Sequence, residues 1–189
     1  MHSQNFKEFA MSTTRSLVSE LERIARALEA EDAGAAQPSL PAIAEKIAKI
    51  IGVRGDEVAI LAVSTRWKHL HFLVPEALKN VGFIPLSSNS ALAAKTVRGS
   101  RPEIDNNFSA ARHAVVFEHI KPTGESLEPI QKIISAPILA DGKVVGVIQV
   151  SRKGQTAAGA GPDFTAEHLG NLLALCKPLG KFVHRLTGE

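Results

Sequence analysis

The chain has 189 residues, of which 44% are hydrophobic and 22% charged, with a formal net charge of +3. That apolar fraction is enough for a packed core and excludes a wholly disordered chain, while the mild charge, with no block of five or six like charges, argues against nucleic acid as a partner. The lone cysteine, Cys176, excludes an intramolecular disulfide and a CxxC metal knuckle and points to a reducing, cytoplasmic setting. The polar start Met1–Asn5 predicts no secretory leader, and no stretch is apolar over the ~18 residues of a membrane span.

The first predicted element is a helix. Leu17, Leu21, Ile24 and Leu28 step by four, three and four, with charged residues around them and Glu22 placed to pair with Arg26. Residues 1–37 are expected to form a helix and linker that either pairs with a second copy or docks on its own domain, and residues 38–189 to form one domain. Ser39 and Pro41 open a second helix, with Ile43, Ile47, Ile50 and Ile51 buried and Gly52 at its end.

A strand pair follows, Val58–Val63 and Lys68–Val74. Alternation puts Lys68, Leu70, Phe72 and Val74 on one face and His69, His71 and Leu73 on the other. Beyond Gly82–Leu86, the polar run 87–90 caps a short helix over 91–97 ended by Gly99, and 101–105 reads as a strand. Asn106 and Asn107 then cap a crossover helix bearing Phe108, Ala111 and Val115, although 114–117 can also be read as a strand. Residues 132–151 form a hairpin around Asp141–Gly142. Residues 154–162, rich in Gly and Ala, read as a flexible loop. A closing helix starts near Thr165 with Leu169, Leu172, Cys176, Leu179, Val183 and Leu186 on one face, and Pro178 inside it is a kink or a cost of about 3 kcal/mol.

The ribbon from Ser135 through Pro137, Asp141, Gly142 and Gly146 to Val150, followed by Asp163-Phe164-Thr165 and Glu167 at the head of a helix, resembles the end of a GAF domain. Gly82-Phe83-Ile84-Pro85, the small-residue helix 90–98 and Arg101–Asp105 sit where that family has its pocket wall and third strand. The resemblance spans roughly residues 40–186. It implies an α/β (α+β) fold: an antiparallel sheet of five or six strands, with the terminal helices on one face and crossover helices enclosing a small-molecule pocket on the other.

Several chemistries used by such domains find little support in these residues. Bilin attachment needs a cysteine near the pocket, and Cys176 lies on the closing helix. Reduction of free methionine sulfoxide takes one attacking and one resolving thiol, and the chain has only one. The cyclic-nucleotide pattern is matched only at Lys153 and Phe164, with Arg152, His168 and Leu169 departing from it. His69 and His71 share a strand face and, with His113 and His119, are the candidates for haem or metal, but no third ligand is evident. Neither cofactor nor metal is therefore expected.

The expected function is non-catalytic: small-molecule sensing with regulatory output through a homodimer or a protein partner. The alternatives are a structural or adaptor module whose pocket is filled by Phe108 and Phe117, and a haem- or metal-binding sensor. The ligand pocket is expected at Asn89, Ser90, Lys95, Asn106, Asn107, Phe108, Arg112, His113 and Phe117, with the amides and a helix cap suited to an anionic or amide-bearing ligand. The dimer is expected through Leu17, Leu21, Ile24 and Leu28 of the first helix and Leu172, Leu179 and Val183 of the last. No membrane contact is expected.

Overall fold

The structure is a computed structural model that describes residues 39–80, 82–110 and 128–187, with Ser12, Arg15, Ser16, Val18, Ser19 and Glu22 of the N-terminal stretch. Those six are helical, and Val18 packs against the domain core. Leu17, Leu21, Ile24 and Leu28 lie outside the described residues.

Helix α1, Leu40–Ile51, begins as its sequence dictates. The Ser39 hydroxyl accepts the Ala42 N–H at 3.4 Å, Pro41 occupies the first turn, and Gly52 closes the helix at φ 74 with its N–H on the Ala48 carbonyl at 2.8 Å. Its isoleucines are buried.

Six strands form one sheet: β1 Val58–Ser64, β2 His69–Val74, β3 Phe83–Pro85, β4 Glu103–Asp105, β5 Ile130–Ala140 and β6 Lys143–Lys153. Their order is β3-β2-β1-β6-β5-β4, and every neighbouring pair is antiparallel. The fold class expected from the sequence is thus the one observed. The hairpin falls at Asp141 and Gly142, both at positive φ (49 and 76), with Ala140 opposite Lys143. That is the two-residue turn whose twist matches the strands it joins.

Strand β2 departs from simple alternation. Ile60 faces Val74 and Leu61 faces Phe72, so the register slips by one at Leu73. Leu70 and Phe72 pack on one face of the sheet and Val74 on the other. The bulge turns Val74 over, which a strict two-residue period cannot anticipate. Lys68, at φ 52, belongs to the preceding turn and not to the strand.

The two faces bury different partners. On the first, α1 and the closing helix α3, Ala166–Thr187, cover Val58, Ile60, Ala62, Ile134, Ala136, Ile138, Ile148 and Val150. On the second, helix α2, Leu92–Gly99, lies with Ala91, Ala93 and Ala94 against Ala59, Leu61, Val63, Leu70, Phe72 and Val147. Its left-handed cap is Ser100 (φ 48), so Gly99 is the last helical residue and not the terminator.

Helix α3 continues through Pro178, which is buried against the core. A Cβ on Gly180 would strike the Leu139 carbonyl, so this glycine lets the helix backbone rest on the end of β5. Leu186 is exposed, because the buried stripe ends at Val183. The loop 154–162 is held by bonds instead of being loose: the Gly154 N–H reaches the Pro129 carbonyl at 3.0 Å, and the Gln131 side chain donates to the Gly154 carbonyl at 2.8 Å.

Candidate functional site: the second face of the sheet and the head of the closing helix

Strands β5 and β6 are buried along almost their whole length, and polar residues inside them need partners. Those on the second face include Ser135 and Gln149, which sit opposite one another across the ribbon. Gln149 Nε2 donates to Ser135 Oγ at 3.3 Å, and Ser135 Oγ lies 2.7 Å from Thr96 Oγ1 of α2. Thr96 Oγ1 donates to the Leu92 carbonyl at 3.0 Å.

One hydroxyl carries one proton, so the order is settled. Thr96 spends its proton on Leu92, Ser135 donates to Thr96, and Gln149 donates to Ser135. The result is a one-way file of hydrogen bonds ending on a helix carbonyl, with all three residues buried.

The residues expected to line a pocket are dispersed. Asn89, Ser90 and Lys95 are exposed. Asn89 Oδ1 accepts from Arg98 at 3.3 Å, and Arg98 also donates to the carbonyls of Leu86 and Ser88, pinning the loop before α2. Phe108 is buried with Leu92, Ile130 and Ile133. Asn107 gives its N–H to Asp105 at 2.8 Å. Arg112, His113 and Phe117, and the crossover helix beyond the single 3₁₀ turn Phe108–Ala110, lie outside the described residues.

The Asn106 side chain is engaged across the fold, at the head of α3. Its side chain grips the backbone of Phe164, accepting from the N–H at 2.8 Å and donating to the carbonyl at 3.0 Å. The Phe164 ring carries the Arg152 guanidinium on it, 4.8 Å from the centroid, and meets the His168 ring edge-on at 5.9 Å. Arg152 also donates to the Gly52 carbonyl at the end of α1, 3.0 Å away, while its Nε is buried without a partner among the described residues. Burial lowers its pKa and Glu57 opposes that. Glu57, itself buried, accepts the N–H groups of Arg54 at 2.8 Å and Lys153 at 2.7 Å. Lys132 secures the next loop, at 2.6 Å from the Gly161 carbonyl and 2.7 Å from Asp163.

The thiol sits elsewhere. Cys176 is buried in the core of the first face, and burial pushes its pKa up to about 12. The His69 and His71 rings lie 6.0 Å apart, with Phe83 against His69 at 4.8 Å. Among the described residues no group of three or more His, Cys, Asp or Glu side chains is placed to hold a metal ion. Leu172, Leu179 and Val183, expected at a dimer seam, are wholly buried in the chain's own core, because α3 turns its apolar stripe inward. No helix among the described residues is long and apolar enough to cross a membrane.

Thr96, Ser135 and Gln149 escaped the sequence reading. For Ser135 and Gln149 the signal was present, a polar residue set among apolar ones in a buried strand, whereas Thr96 lies on helix α2.

No family model and no curated protein matches this sequence. Solved structures do. The GAF domain of an Acinetobacter phosphoenolpyruvate-protein phosphotransferase is 18% identical, with 94% of each chain covered and a TM-score of 0.65. The corresponding GAF domain from Coxiella burnetii is 11% identical, covering 95% of this chain and 98% of that one, with a TM-score of 0.59. The free methionine-R-sulfoxide reductase from Neisseria meningitidis is 18% identical, covering 92% and 91%, with a TM-score of 0.56. At such identities the likeness is one of fold. Six antiparallel strands in this order, with helices on both faces, give the chain the fold of a GAF domain.

Proposed function

We propose that this chain is a non-catalytic regulatory domain that senses a small molecule on the second face of its sheet and passes the state of that face to its closing helix. The observation that carries this reading is the buried file from Gln149 through Ser135 to Thr96, which places linked polar side chains on an otherwise apolar face. A small ligand with hydrogen-bonding groups suits such a face. The likeness to a GAF domain of a phosphotransferase and to part of a methyl-accepting chemotaxis protein is consistent with such a role.

The route to the helix is short. Asn106 directly follows β4 and precedes the turn Phe108–Ala110, and it holds Phe164, the residue before the cap of α3. A ligand that shifts the turn Phe108–Ala110 would pull on the head of α3 through the Asn106 amide, a two-state linkage of ordinary kind.

The reductase likeness raises an enzymatic alternative, which Cys176 disfavours. It lies on the opposite face from the polar file, and its raised pKa leaves almost no thiolate to attack a sulfoxide. Cytoplasmic residence, residues 1–37 as a dimerisation element and 38–189 as the sensing domain complete the proposal, with output to a protein partner.

Native mass spectrometry of protein purified from its own host tests the reading. A retained small molecule, lost in Gln149→Leu, supports it. A bare chain with no small molecule bound in any preparation overturns it. Leu21→Asp is expected to convert a dimer to a monomer, and an unchanged mass removes the first helix from the interface.

A second reading has its own observation. Phe108 is buried between α2 and β5 on the second face, where it would occupy pocket space in a purely structural module. Phe108→Ala separates the two: a gain of small-molecule binding in the variant alone marks a filled pocket.

A further inference from the structure

The closing helix opens with an unusual capping box. Thr165 is the residue before its first turn, and Thr165 Oγ1 accepts the His168 N–H at 3.4 Å. In return the Thr165 N–H donates to His168 Nδ1 at 3.0 Å, and the Thr165 hydroxyl lies 3.1 Å from the same nitrogen. This is the reciprocal arrangement in which a Glu or Gln ordinarily supplies the second acceptor. Phe164 and Leu169, on either side of the box, both pack into the first-face core and form the accompanying hydrophobic staple.

A histidine in that place behaves differently from a glutamate. A backbone N–H can only donate, so Nδ1 must accept, and the ring must be neutral with its proton on Nε2. A proton added to the imidazole goes to Nδ1, where it points a second donor at the Thr165 N–H. The box then loses one of its two bonds, and a positive charge appears at the positive end of a 22-residue helix.

We propose that the Thr165–His168 cap makes the head of the closing helix proton-sensitive: closed while His168 is neutral, and opened when the ring takes a second proton.

The surroundings favour the neutral ring. Burial lowers the pKa of His168, the Arg152 guanidinium on the far side of Phe164 lowers it further, and Glu167 on its own helix opposes both. The other charged groups near the junction are already engaged: Glu57 with the N–H groups of Arg54 and Lys153, and Asp163 with Lys132. The sign follows from the lowered value. The folded chain binds this proton less well than the unfolded chain, so the cap's contribution is complete at neutral pH. It is lost as pH falls below the ordinary imidazole value of 6.5. Phe164, gripped by Asn106, would feel that loss directly.

Hydrogen exchange of the His168 and Leu169 amides, corrected for intrinsic exchange, tests this between pH 7.5 and pH 5 in the full chain and in His168→Gln, whose amide can cap without titrating. Loss of a cap corresponds to about fivefold faster opening at the acidic end in the native chain, with less than twofold change in the variant. ¹⁵N spectra of the imidazole should show Nδ1 unprotonated at pH 7.5. Parallel exchange profiles in the two proteins, or a proton on Nδ1 at neutral pH, would overturn the proposal. His168→Glu provides rescue, since its carboxylate should keep exchange slow throughout that pH range. Neither readout depends on a ligand, so failure here leaves the sensing reading standing, and the reverse holds as well.

Discussion

Asn106 binds Phe164 as one strand binds another, taking its N–H at 2.8 Å and giving a proton to its carbonyl at 3.0 Å. A side-chain amide has the same donor and acceptor as a peptide group, so an asparagine can splice two separate loops together without a ladder. Asn106→Ala removes both bonds and leaves two partly buried backbone groups unpaired. The expected loss is about 1–3 kcal/mol in urea unfolding, and Asn106→Asp, which keeps the acceptor alone, should fall between the two.

The polar file should show the asymmetry of buried hydrogen bonds. Ser135→Ala leaves the Gln149 N–H without its acceptor and should cost about 1–3 kcal/mol by denaturant unfolding. Replacing Thr96, Ser135 and Gln149 together by Val, Ala and Leu removes donors and acceptors at once and should cost less than the single change. If ligand capture survives the triple replacement, the file has no part in binding.

Gly180 is expected to tolerate no side chain. Gly180→Ala places a methyl group on the Leu139 carbonyl, a backbone atom that cannot rotate away, so α3 must lift from β5. Overpacking of this kind costs about 1–3 kcal/mol, read as a lower Tm. Gly170→Ala, on the same helix with nothing near its Cβ position, provides the control and should hold or raise the Tm.

Cys176 should be silent to thiol reagents in the folded chain and react on unfolding, because burial holds its pKa near 12 against an ordinary value of 9.0. The linkage runs opposite to that of His168. Above pH 9 the unfolded chain ionises its thiol while the folded chain does not, so stability falls with rising pH there. Cys176→Ala should flatten that slope in urea titrations at pH 8 to 10.

Much of the frame was legible before any coordinates. The cap Ser39, the isoleucine stripe of α1, the Asp141–Gly142 turn and the ribbon it joins are local patterns whose physics is complete within a few residues. Val74 was misread, while Leu73 lies on the face its alternation gave, because a bulge depends on the neighbouring strand and not on the strand's own alternation. The candidate site was harder to read. Asn106 looked like a cap because asparagine beside a helix start usually is one, and its true partner lies far along the chain at Phe164. Leu172, Leu179 and Val183 were assigned to a seam between copies, but an apolar helix stripe has the same spacing whether it covers a sheet or another chain. Thr96 meets Ser135 only in three dimensions.

The middle of the sheet is the seam between β1 and β6, where Val58 stands opposite Val150. The first and last strands of the described sheet in chain order are therefore neighbours, and its two outer blocks, β1-β2-β3 on one side and β4-β5-β6 on the other, pair only along that seam. Early in synthesis the β1 edge that will receive β6 lies bare, an apolar strand with its ladder groups unspent. Closing the sheet thus waits on the C-terminal ribbon, whose pairing with β1 spans most of the described chain.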